Sequence, residues 1–577
     1  MGFLEESRKI AEDFLQTAVF LDDRVDYGDY SKDEVPYAEE IKEPAGYAAG
    51  PGKYAESHDE QHADVCDGGM SDDVKGCRDS DEGEAKEEAA GLDAQSIVGS
   101  FMEKGIICSV INCSKEDSDD KYTGIIKKAD IAVLDWDLYK DGGEKISEII
   151  KNITDTDNEL HELRLIVIYT YQNLESVKNK ISVLNSNFNS VGEVGDYTLH
   201  NKYTTISLFS KPGGSNGIPE RTVDPSALAD KCIEEFTSAF RGVVPNVALA
   251  AVSEIRKNTH RLLGVLNKDL DIGYLSHRAL LPFPDDAEKH LEEIISDELG
   301  SILSANKVGG KSNYECIKDY EGIKDKKYRC VVKDCRKDEI TGALSDCQAE
   351  INISDVIKKG PDEYLNSLCK ELKGAAKEGF RKDFSKVWYT SDEKNQSSES
   401  YKNKKNFSEN SEKQFAVLTS LQNDYNPGEP KILGLGVIIE KLNFGECEGE
   451  GDKFLCMQPE CDSVRLNSTE TNEFIFIKLK KCNGNGFNLL LREINGKIGK
   501  YSIDLGRKYR LLIPFNPSGG CDVVKSDRNE FKDDNNCGYR YVGILKKSQA
   551  QRIANNFGAK LSRVGVNESE YLRRNQG

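Results

Sequence analysis

Two patterns of apolar and polar positions alternate over residues 1–215. Short continuous apolar runs are separated by segments in which apolar residues recur at helical spacing. The runs are TAVFLDD, ICSVINC, DIAVLDWDL, LRLIVIYT and TTISLFSKP, and polar residues enter them mainly at the carboxyl end. Runs of this kind are typical of strands that a parallel sheet buries on both faces. We therefore predict an α/β domain with a five-stranded parallel sheet.

One long segment breaks this alternation. Residues 24–90 are rich in Asp, Glu, Gly, Ala and Tyr and show almost no aliphatic periodicity. Segments of that composition bury too little apolar surface to offset the entropy lost on ordering. We predict an acidic, largely disordered insertion within the first domain.

The remaining chain divides by pattern into three further parts. In residues 216–394 apolar side chains such as Leu228 and Phe236 recur at helical spacing, which predicts a mainly helical domain. Residues 395–415 form a polar stretch of low complexity that indicates a linker. In residues 416–577 short apolar runs alternate with Gly, Asn and Asp clusters, which predicts a small all-β barrel or sandwich. The protein is thus predicted to be multidomain.

Composition narrows the classes of function. The formal net charge of −22 opposes binding to nucleic acid and anionic lipid. The chain has no apolar run of about 18 residues, so we predict no membrane span. The N-terminus carries acids and lacks the apolar core of a signal peptide, so we expect a cytoplasmic protein with reduced thiols. The sixteen cysteines include no CxxC pair, and metal binding by the C-terminal ones stays open.

Polar side chains follow four of the predicted strands. Strand one ends in Asp22 and Asp23, strand three in Asp135, strand four in Thr170 and strand five in Lys211. The carboxyl ends of parallel strands meet at one edge of the sheet, where the sites of doubly wound domains form. Clustered carboxylates repel one another, and hard oxygen ligands suit Mg²⁺. The sequence therefore predicts a magnesium site at this edge.

This order of strand-end residues resembles the response-regulator receiver family of two-component systems. That family is a five-stranded α/β domain of flavodoxin-like topology, and Gly143 stands where the family has its turn glycine. The resemblance implies that Asp135 accepts a phosphoryl group, with Lys211 and Thr170 as the other catalytic residues. It also implies Mg²⁺ as the cofactor. The implied ligands are Asp22, Asp23, Asp135 and the main-chain carbonyl of Asp137.

The sequence departs from the family pattern in three places. The acidic insertion stands where the family has a short loop. Leu208 occupies the place of the family's switch aromatic, with Phe209 beside it, and Tyr139 replaces the Pro after the third strand. These departures put aromatic-switch signalling in doubt more than phosphoryl chemistry.

Two hypotheses of function follow. In the first, a histidine-kinase-like or GHKL-type ATPase phosphorylates Asp135, and the helical and β-rich domains pass the change on, with a possible homodimer through the helical domain. In the second, the receiver fold is a scaffold that docks an ATPase or effector without phosphorylation. The arrangement resembles long receiver proteins of bacterial anti-phage and stress operons. A third class, transcription regulation, lacks a helix-turn-helix, and no separate enzymatic domain is identified.

Overall fold

The structure is a computed structural model, and it describes most of the chain. The described residues are 2–26, 92–160, 162–184, 188–190, 197–201, 203–214, 218–337, 344–368, 384–388, 399–442, 451–467, 471–493, 495–517 and 522–561. Most of the predicted acidic insertion lies outside these residues. No described helix is both long enough and apolar enough to cross a membrane.

The chain divides into two compact units, residues 1–320 and 321–577. The division differs from the predicted boundaries, because the first unit contains both the α/β domain and most of the helices that follow it. The helices of this unit are Phe3–Phe14 (α1), Ala94–Glu103 (α2), Asp119–Ile126 (α3), Glu144–Leu160 (α4), Leu174–Leu184 (α5), Leu228–Phe240 (α6), Val243–Val265 (α7), Asp271–Leu280 (α8), Asp286–Ala305 (α9) and Tyr314–Ile317 (α10).

The described strands of the first unit build one large sheet and a short pair. The strands are Thr17–Asp22 (β1), Val25–Asp26 (β2), Leu92–Asp93 (β3), Ile107–Asn112 (β4), Ile131–Leu134 (β5), Arg164–Thr170 (β6), Asn189–Ser190 (β7), Thr198–His200 (β8) and Thr204–Ser210 (β9). The sheet has seven strands in the order β4-β1-β5-β6-β9-β8-β7. Strands β4, β1, β5, β6 and β9 are parallel, which confirms the predicted parallel sheet. The sequence pattern did not predict β7 and β8, which extend the sheet in antiparallel fashion beyond β9.

Each face of the sheet buries its own core. Helices α3, α4 and α5 cover one face, and on α4 the residues Ile146, Ile149, Ile150 and Ile153 are buried at i, i+3, i+4 and i+7. Helices α2 and α6 pack on the other face, where Phe20, Ile97 and Phe101 are buried together with Leu228 and Phe236 of α6. Helix α6 therefore completes the α/β layer, although it lies beyond the predicted domain boundary at residue 215.

Helix α7 is joined to α1 and to this layer by polar contacts. The Asn246 amide donates to the Ser7 hydroxyl at 2.8 Å, and the Ser253 hydroxyl donates to the Asp13 carbonyl at 2.7 Å. The Arg256 guanidinium donates to the Asp130 carboxylate at 2.9 Å. These contacts fix α7 against α1 and, through Arg256, against the α/β layer.

The two ends of the acidic insertion are held next to each other. Strand β2 begins one residue after Asp23 and pairs in parallel with β3, with Val25 opposite Leu92. The Asp93 carboxylate then caps helix α2 by accepting a hydrogen bond from the Ser96 amide at 2.9 Å. The acidic insertion thus begins and ends near the strand end that carries the first two acids.

The second unit consists of antiparallel sheets and four described helices. The strands are Lys327–Lys337 (β10), Leu344–Asn352 (β11), Val437–Lys441 (β12), Lys453–Cys456 (β13), Glu473–Lys478 (β14), Lys480–Lys481 (β15), Leu489–Arg492 (β16), Ile498–Ser502 (β17), Arg510–Pro514 (β18), Glu530–Lys532 (β19) and Gly538–Ile544 (β20). The helices are Ile353–Lys359 (α11), Pro361–Leu368 (α12), Glu399–Ser420 (α13) and Lys547–Leu561 (α14). The sheet orders are β18-β14-β13-β12-β20-β19, β15-β17-β16 and β10-β11. The β-rich prediction for the C-terminal part agrees with this arrangement.

The predicted linker over residues 395–415 is largely helical where the structure describes it. Residues 399–415 belong to the long helix α13, which contains three Glu and four Lys, residues with high helix propensity. The apolar end of α13 anchors it, because Val417 is buried in the core of the second unit together with Leu491 of β16. The prediction of a helical domain to residue 394 also missed the hairpin of β10 and β11.

Candidate functional site

Three residues from separate strands meet at the carboxyl edge of the parallel sheet. Asp22 ends β1, Asp135 directly follows β5, and Lys211 directly follows β9. The Lys211 ammonium lies 2.7 Å from Asp22 Oδ2 and 3.0 Å from Asp135 Oδ1. All three side chains are almost completely buried, so water screens these charges weakly.

Asp23 completes an acidic cluster with Asp22 and Asp135. One carboxylate oxygen from each acid lies within 4.8 Å of the others, and this is the only group of three or more such ligands among the described residues. Asp23 Oδ2 accepts a hydrogen bond from the Tyr139 amide at 2.8 Å, which fixes the orientation of the carboxylate. Asp22 Oδ1 accepts one from the Arg24 amide at 2.8 Å.

The cluster fits a hard divalent cation. In the described part of the chain, Asp23 Oδ1 and Asp135 Oδ2 are buried and accept no hydrogen bond. Buried carboxylate oxygens without a partner are costly, and a metal ion is one way to satisfy them. An all-oxygen donor set from carboxylates suits Mg²⁺. The residues present therefore fit the implied cofactor.

Burial and charge shift the pKa values of Asp135 and Lys211. Burial raises the pKa of Asp135 to about 6, with a further rise from the nearby Asp22 carboxylate and an opposing effect of the Lys211 ammonium. Burial lowers the pKa of Lys211, but Asp135 and Asp22 outweigh it, so that the pKa is raised overall. Lys211 is therefore a stable cation at the centre of the cluster.

Thr170 lies at the end of β6, between β5 and β9. Its carbonyl accepts a hydrogen bond from the Lys211 amide at 2.9 Å, and its hydroxyl accepts one from the Gln172 amide at 3.1 Å. Its neighbours Tyr169 and Tyr171 hold Lys211 from the side, with the ammonium 5.7 Å and 5.2 Å from the two ring centroids. The rings thus contribute to the placement of the ammonium.

Tyr169 also links the site to the segment that leads into α6. Its hydroxyl donates to the Val223 carbonyl at 2.7 Å, and its ring packs edge-on against Phe20. Tyr169 is fully buried on the face that α6 covers. The residue beside Thr170 therefore contacts the connection to the helices.

The loop after Asp135 depends on a contact between a glycine and a tryptophan. Trp136 is buried, and a Cβ added to Gly143 would lie 2.1 Å from its ring. Gly143 also has φ +89°, a conformation that favours glycine. The glycine that the resemblance singled out is thus needed to close this loop.

Asp137 lies in the same loop. Its side chain accepts hydrogen bonds from the Gly142 amide at 2.7 Å and from the Gln172 amide group at 3.0 Å. Its main-chain carbonyl accepts a long one of 3.3 Å from the Lys140 amide. The role of this carbonyl as a metal ligand stays a prediction.

The structure brings together Asp22, Asp23, Asp135 and Lys211, as the strand-end pattern predicted, and Thr170 ends the strand between Asp135 and Lys211. Sequence reasoning missed Arg24, whose guanidinium lies 3.8 Å from Asp23 Oδ1 and is partly exposed at the mouth of the cluster. Its position directly after the two acids was the available signal. Leu208, at the place of the family's switch aromatic, is buried under the helices of the α3–α5 face.

Comparison with known proteins agrees with this geometry. Residues 14–216 match the model of a family described as a response receiver domain. The match covers the strands that supply all of the predicted site residues. No curated protein and no solved structure matched the chain.

Proposed function

From the premise that residues 14–216 form a response receiver domain, we propose that the protein is a signalling protein that accepts a phosphoryl group on Asp135. The donor in this proposal is the phosphohistidine of a histidine-kinase-like protein, such as a GHKL-type ATPase. The helical and β-rich parts of the chain pass the change on. The family supports a response-regulator-like role in general terms.

The observation that carries the proposal is the state of the Asp135 carboxylate. Oδ1 is held 3.0 Å from the Lys211 ammonium, whereas Oδ2 is buried and accepts no hydrogen bond from a described residue. One oxygen is thus fixed by a cation while the other is available to attack phosphorus. This oxygen belongs to the acidic cluster of Asp22, Asp23 and Asp135, which could also hold a metal ion.

In the proposed transfer, Oδ2 of Asp135 attacks phosphorus as the bond from phosphorus to the donor's imidazole nitrogen breaks. The released imidazole keeps the electron pair of that bond. Lys211 offsets the negative charge of the phosphoryl oxygens, and its contacts with Asp22 and Asp135 hold it in place before the reaction. The Thr170 hydroxyl can donate to a phosphoryl oxygen once the group is attached.

The proposed metal ligands are Asp22, Asp23, Asp135 and the main-chain carbonyl of Asp137. When bound, Mg²⁺ would neutralise charge on the transferring group. Asp23 contributes through Oδ1, which accepts no hydrogen bond from a described residue, while its Oδ2 accepts one from the Tyr139 amide. The chain thus supplies both the ligands and their orientation.

Mass spectrometry of the intact protein after incubation with acetyl phosphate and Mg²⁺ tests the proposal. We expect the wild type to gain the mass of one phosphoryl group and Asp135→Asn to gain none. Asp155→Asn, which changes an exposed acid on α4, is the matched control and should react like the wild type. If wild type and Asp135→Asn are both unmodified, and beryllofluoride is not bound either, the scaffold hypothesis replaces phosphorylation.

The identity of the donor requires a separate measurement. We expect a cognate histidine-kinase-like protein encoded nearby to transfer phosphate to the wild type within the same assay. Phosphoryl transfer to the Asp135→Asn variant would show that another residue is the acceptor. A role in bacterial defence depends on such a partner and stays a prediction.

A further inference from the structure

Two exposed histidines on neighbouring helices of the first unit face each other outside the acidic cluster. His277 lies in the last turn of α8, and His290 lies in the first half of α9. Nε2 of His277 is 3.1 Å from Nδ1 of His290, and the ring centroids are 5.1 Å apart. Both side chains are exposed, so that a solute can reach the two nitrogens.

The distance between these nitrogens suits a metal ion bound to both. A bond from a transition-metal ion to a histidine nitrogen is about 2.0–2.1 Å long. With two bonds of about 2.1 Å, nitrogens 3.1 Å apart define an angle of about 95° at the metal. This angle lies between the ideal values of octahedral and tetrahedral coordination, about 90° and about 109°. The two nitrogens can therefore act as adjacent ligands of one ion at their present separation.

The junction of α8 and α9 holds the two rings in place. Only residues 281–285 separate the helices, and two of these five residues are prolines, which restrict the backbone. The guanidinium of Arg278, the residue after His277, pairs with Asp285 and Glu288 at 2.9 Å each. Because the rings are already adjacent, a bridging ion would need to order little of the chain.

The charge of the surrounding segment favours a cation. Residues 259–305 contain nine Asp and Glu against four Lys and Arg. A surface with an excess of acids raises the local concentration of cations. Arg278 and Lys289 are the cations next to the two histidines in sequence, and Arg278 is already paired with two carboxylates. The net field at the pair therefore does not oppose a divalent ion.

The histidines supply two ligands and leave the other coordination positions open. Among the described residues, no third His, Cys, Asp or Glu places a ligand atom within 4.8 Å of both ring nitrogens. Water can fill the remaining positions. Imidazole is a preferred ligand of Zn²⁺, Ni²⁺ and Cu²⁺, whereas Mg²⁺ prefers oxygen. This pair thus selects a different class of ion from the one that suits the acidic cluster.

We propose that His277 and His290 form a binding site for a divalent transition-metal ion that bridges α8 and α9. The alternative is a direct hydrogen bond, in which one imidazole donates and the other accepts. That hydrogen bond uses the lone pair of one nitrogen, whereas a metal ion uses the lone pairs of both. The ion replaces one contact by two coordinate bonds and stabilises the junction of the two helices.

Isothermal titration calorimetry of the full, untagged chain with Ni²⁺ tests the inference, which does not rest on the proposed phosphoryl transfer. An excess of Mg²⁺ competes for carboxylate sites during the titration. We expect a site for Ni²⁺ whose Kd rises at least about tenfold in His277→Gln and in His290→Gln. His260→Gln, which changes an exposed histidine on α7, is the matched control and should bind like the wild type. Without Ni²⁺, all three variants should melt close to the wild type, because the side chains are exposed.

The double variant His277→Gln with His290→Gln distinguishes a shared ion from two separate ligands. If one ion needs both rings, either single change removes the shared site, and the double variant should bind about as weakly as each single one. Ni²⁺ should also slow amide hydrogen exchange in α8 of the wild type and not in His290→Gln. Binding that neither single variant weakens overturns the inference. So do additive losses of affinity, which would mean that the rings share a hydrogen bond only and bind ions separately.

Discussion

The Lys211 ammonium lies 2.7 Å from the Asp22 carboxylate, although 189 positions of sequence separate the two residues. Strands β1 and β9 bring them to one edge of the sheet, and both side chains are buried. The same ammonium contacts Asp135, so one cation is shared by two buried acids. Much of what the site can do depends on this sharing.

Removal of Lys211 should destabilise the fold in a pH-dependent manner. Lys211→Met leaves Asp22 and Asp135 buried without their cation, which typically costs about 3–5 kcal/mol. Because Lys211 lowers the pKa of Asp135, its loss raises that pKa further. The native state then binds extra protons, so the deficit should shrink as the pH falls from about 8 to about 5.

Urea unfolding in EDTA at several pH values measures this effect. Lys151→Met, at an exposed position of α4, is the control and should stay close to the wild type at every pH. A deficit in Lys211→Met that stays constant with pH would contradict the explanation by unpaired carboxylates.

The raised pKa of Asp135 predicts that this acid destabilises the metal-free protein. A folded-state pKa of about 6 lies above the ordinary value of 3.8. When the pH is below the ordinary pKa, the group does not lower the free energy of unfolding. The cost grows as the pH rises from the ordinary pKa to the folded-state pKa, and it stays constant at higher pH. Without divalent ions, Asp135→Asn should therefore be more stable than the wild type by about 1–3 kcal/mol at neutral pH.

Thermal or urea unfolding in EDTA checks this prediction, with Asp155→Asn as the exposed control. The gain of Asp135→Asn should disappear near pH 4. A variant that is less stable than the wild type at neutral pH would show that the Asp135 charge is favourable in the folded state.

Magnesium binding should be visible through Trp136. This buried residue follows Asp135 directly, and the sequence has one other tryptophan, Trp388. In a Trp388→Phe background, we expect Mg²⁺ to change the fluorescence of Trp136 in a saturable manner. Asp23→Asn should weaken or abolish the response, because it removes the charge of a carboxylate whose Oδ1 accepts no hydrogen bond from a described residue.

The control for this titration is again Asp155→Asn, which should respond like its parent. A saturable response of equal affinity in Asp23→Asn would mean that the ion binds elsewhere. An increase in melting temperature with Mg²⁺ provides a second readout of the same equilibrium.

The two glycines Gly143 and Gly213 should respond differently to replacement by alanine. Both have positive φ, +89° and +83°, and a left-handed conformation costs a residue with a Cβ about 1–2 kcal/mol. Only at Gly143 does the new Cβ collide with the Trp136 ring. We expect Gly143→Ala to cost roughly 1–3 kcal/mol more than Gly213→Ala in urea unfolding. Equal costs would show that the loop can move away from Trp136.

Sequence reasoning located the site because strand ends obey simple rules. Five apolar runs predicted the parallel strands, and a parallel sheet necessarily brings Asp22, Asp135 and Lys211 to one edge. The structure adds contacts that no local pattern indicates, such as the rings of Tyr169 and Tyr171 beside Lys211. These depend on which face of a strand a side chain occupies and on packing between distant elements.

The two compact units do not coincide with the predicted domain limits, and two helices show the physical reasons. Helix α6 carries a regular apolar stripe, but the stripe does not reveal that its partner is the sheet and not another helix. Helix α13 looks like a linker in composition, because only its last turn places an apolar residue, Val417, in the core. In both cases tertiary packing decided what local sequence left open.

The pairing of Val25 with Leu92 makes the positions of Asp22 and Asp23 independent of the length of the segment between Val25 and Leu92. Because the fold itself holds the two ends together, it sets no requirement on how many residues connect Asp26 to Leu92. Insertions and deletions there can accumulate over evolution while Asp22 and Asp23 keep their places. The same junction is therefore a natural position for grafting a foreign peptide or reporter next to the site.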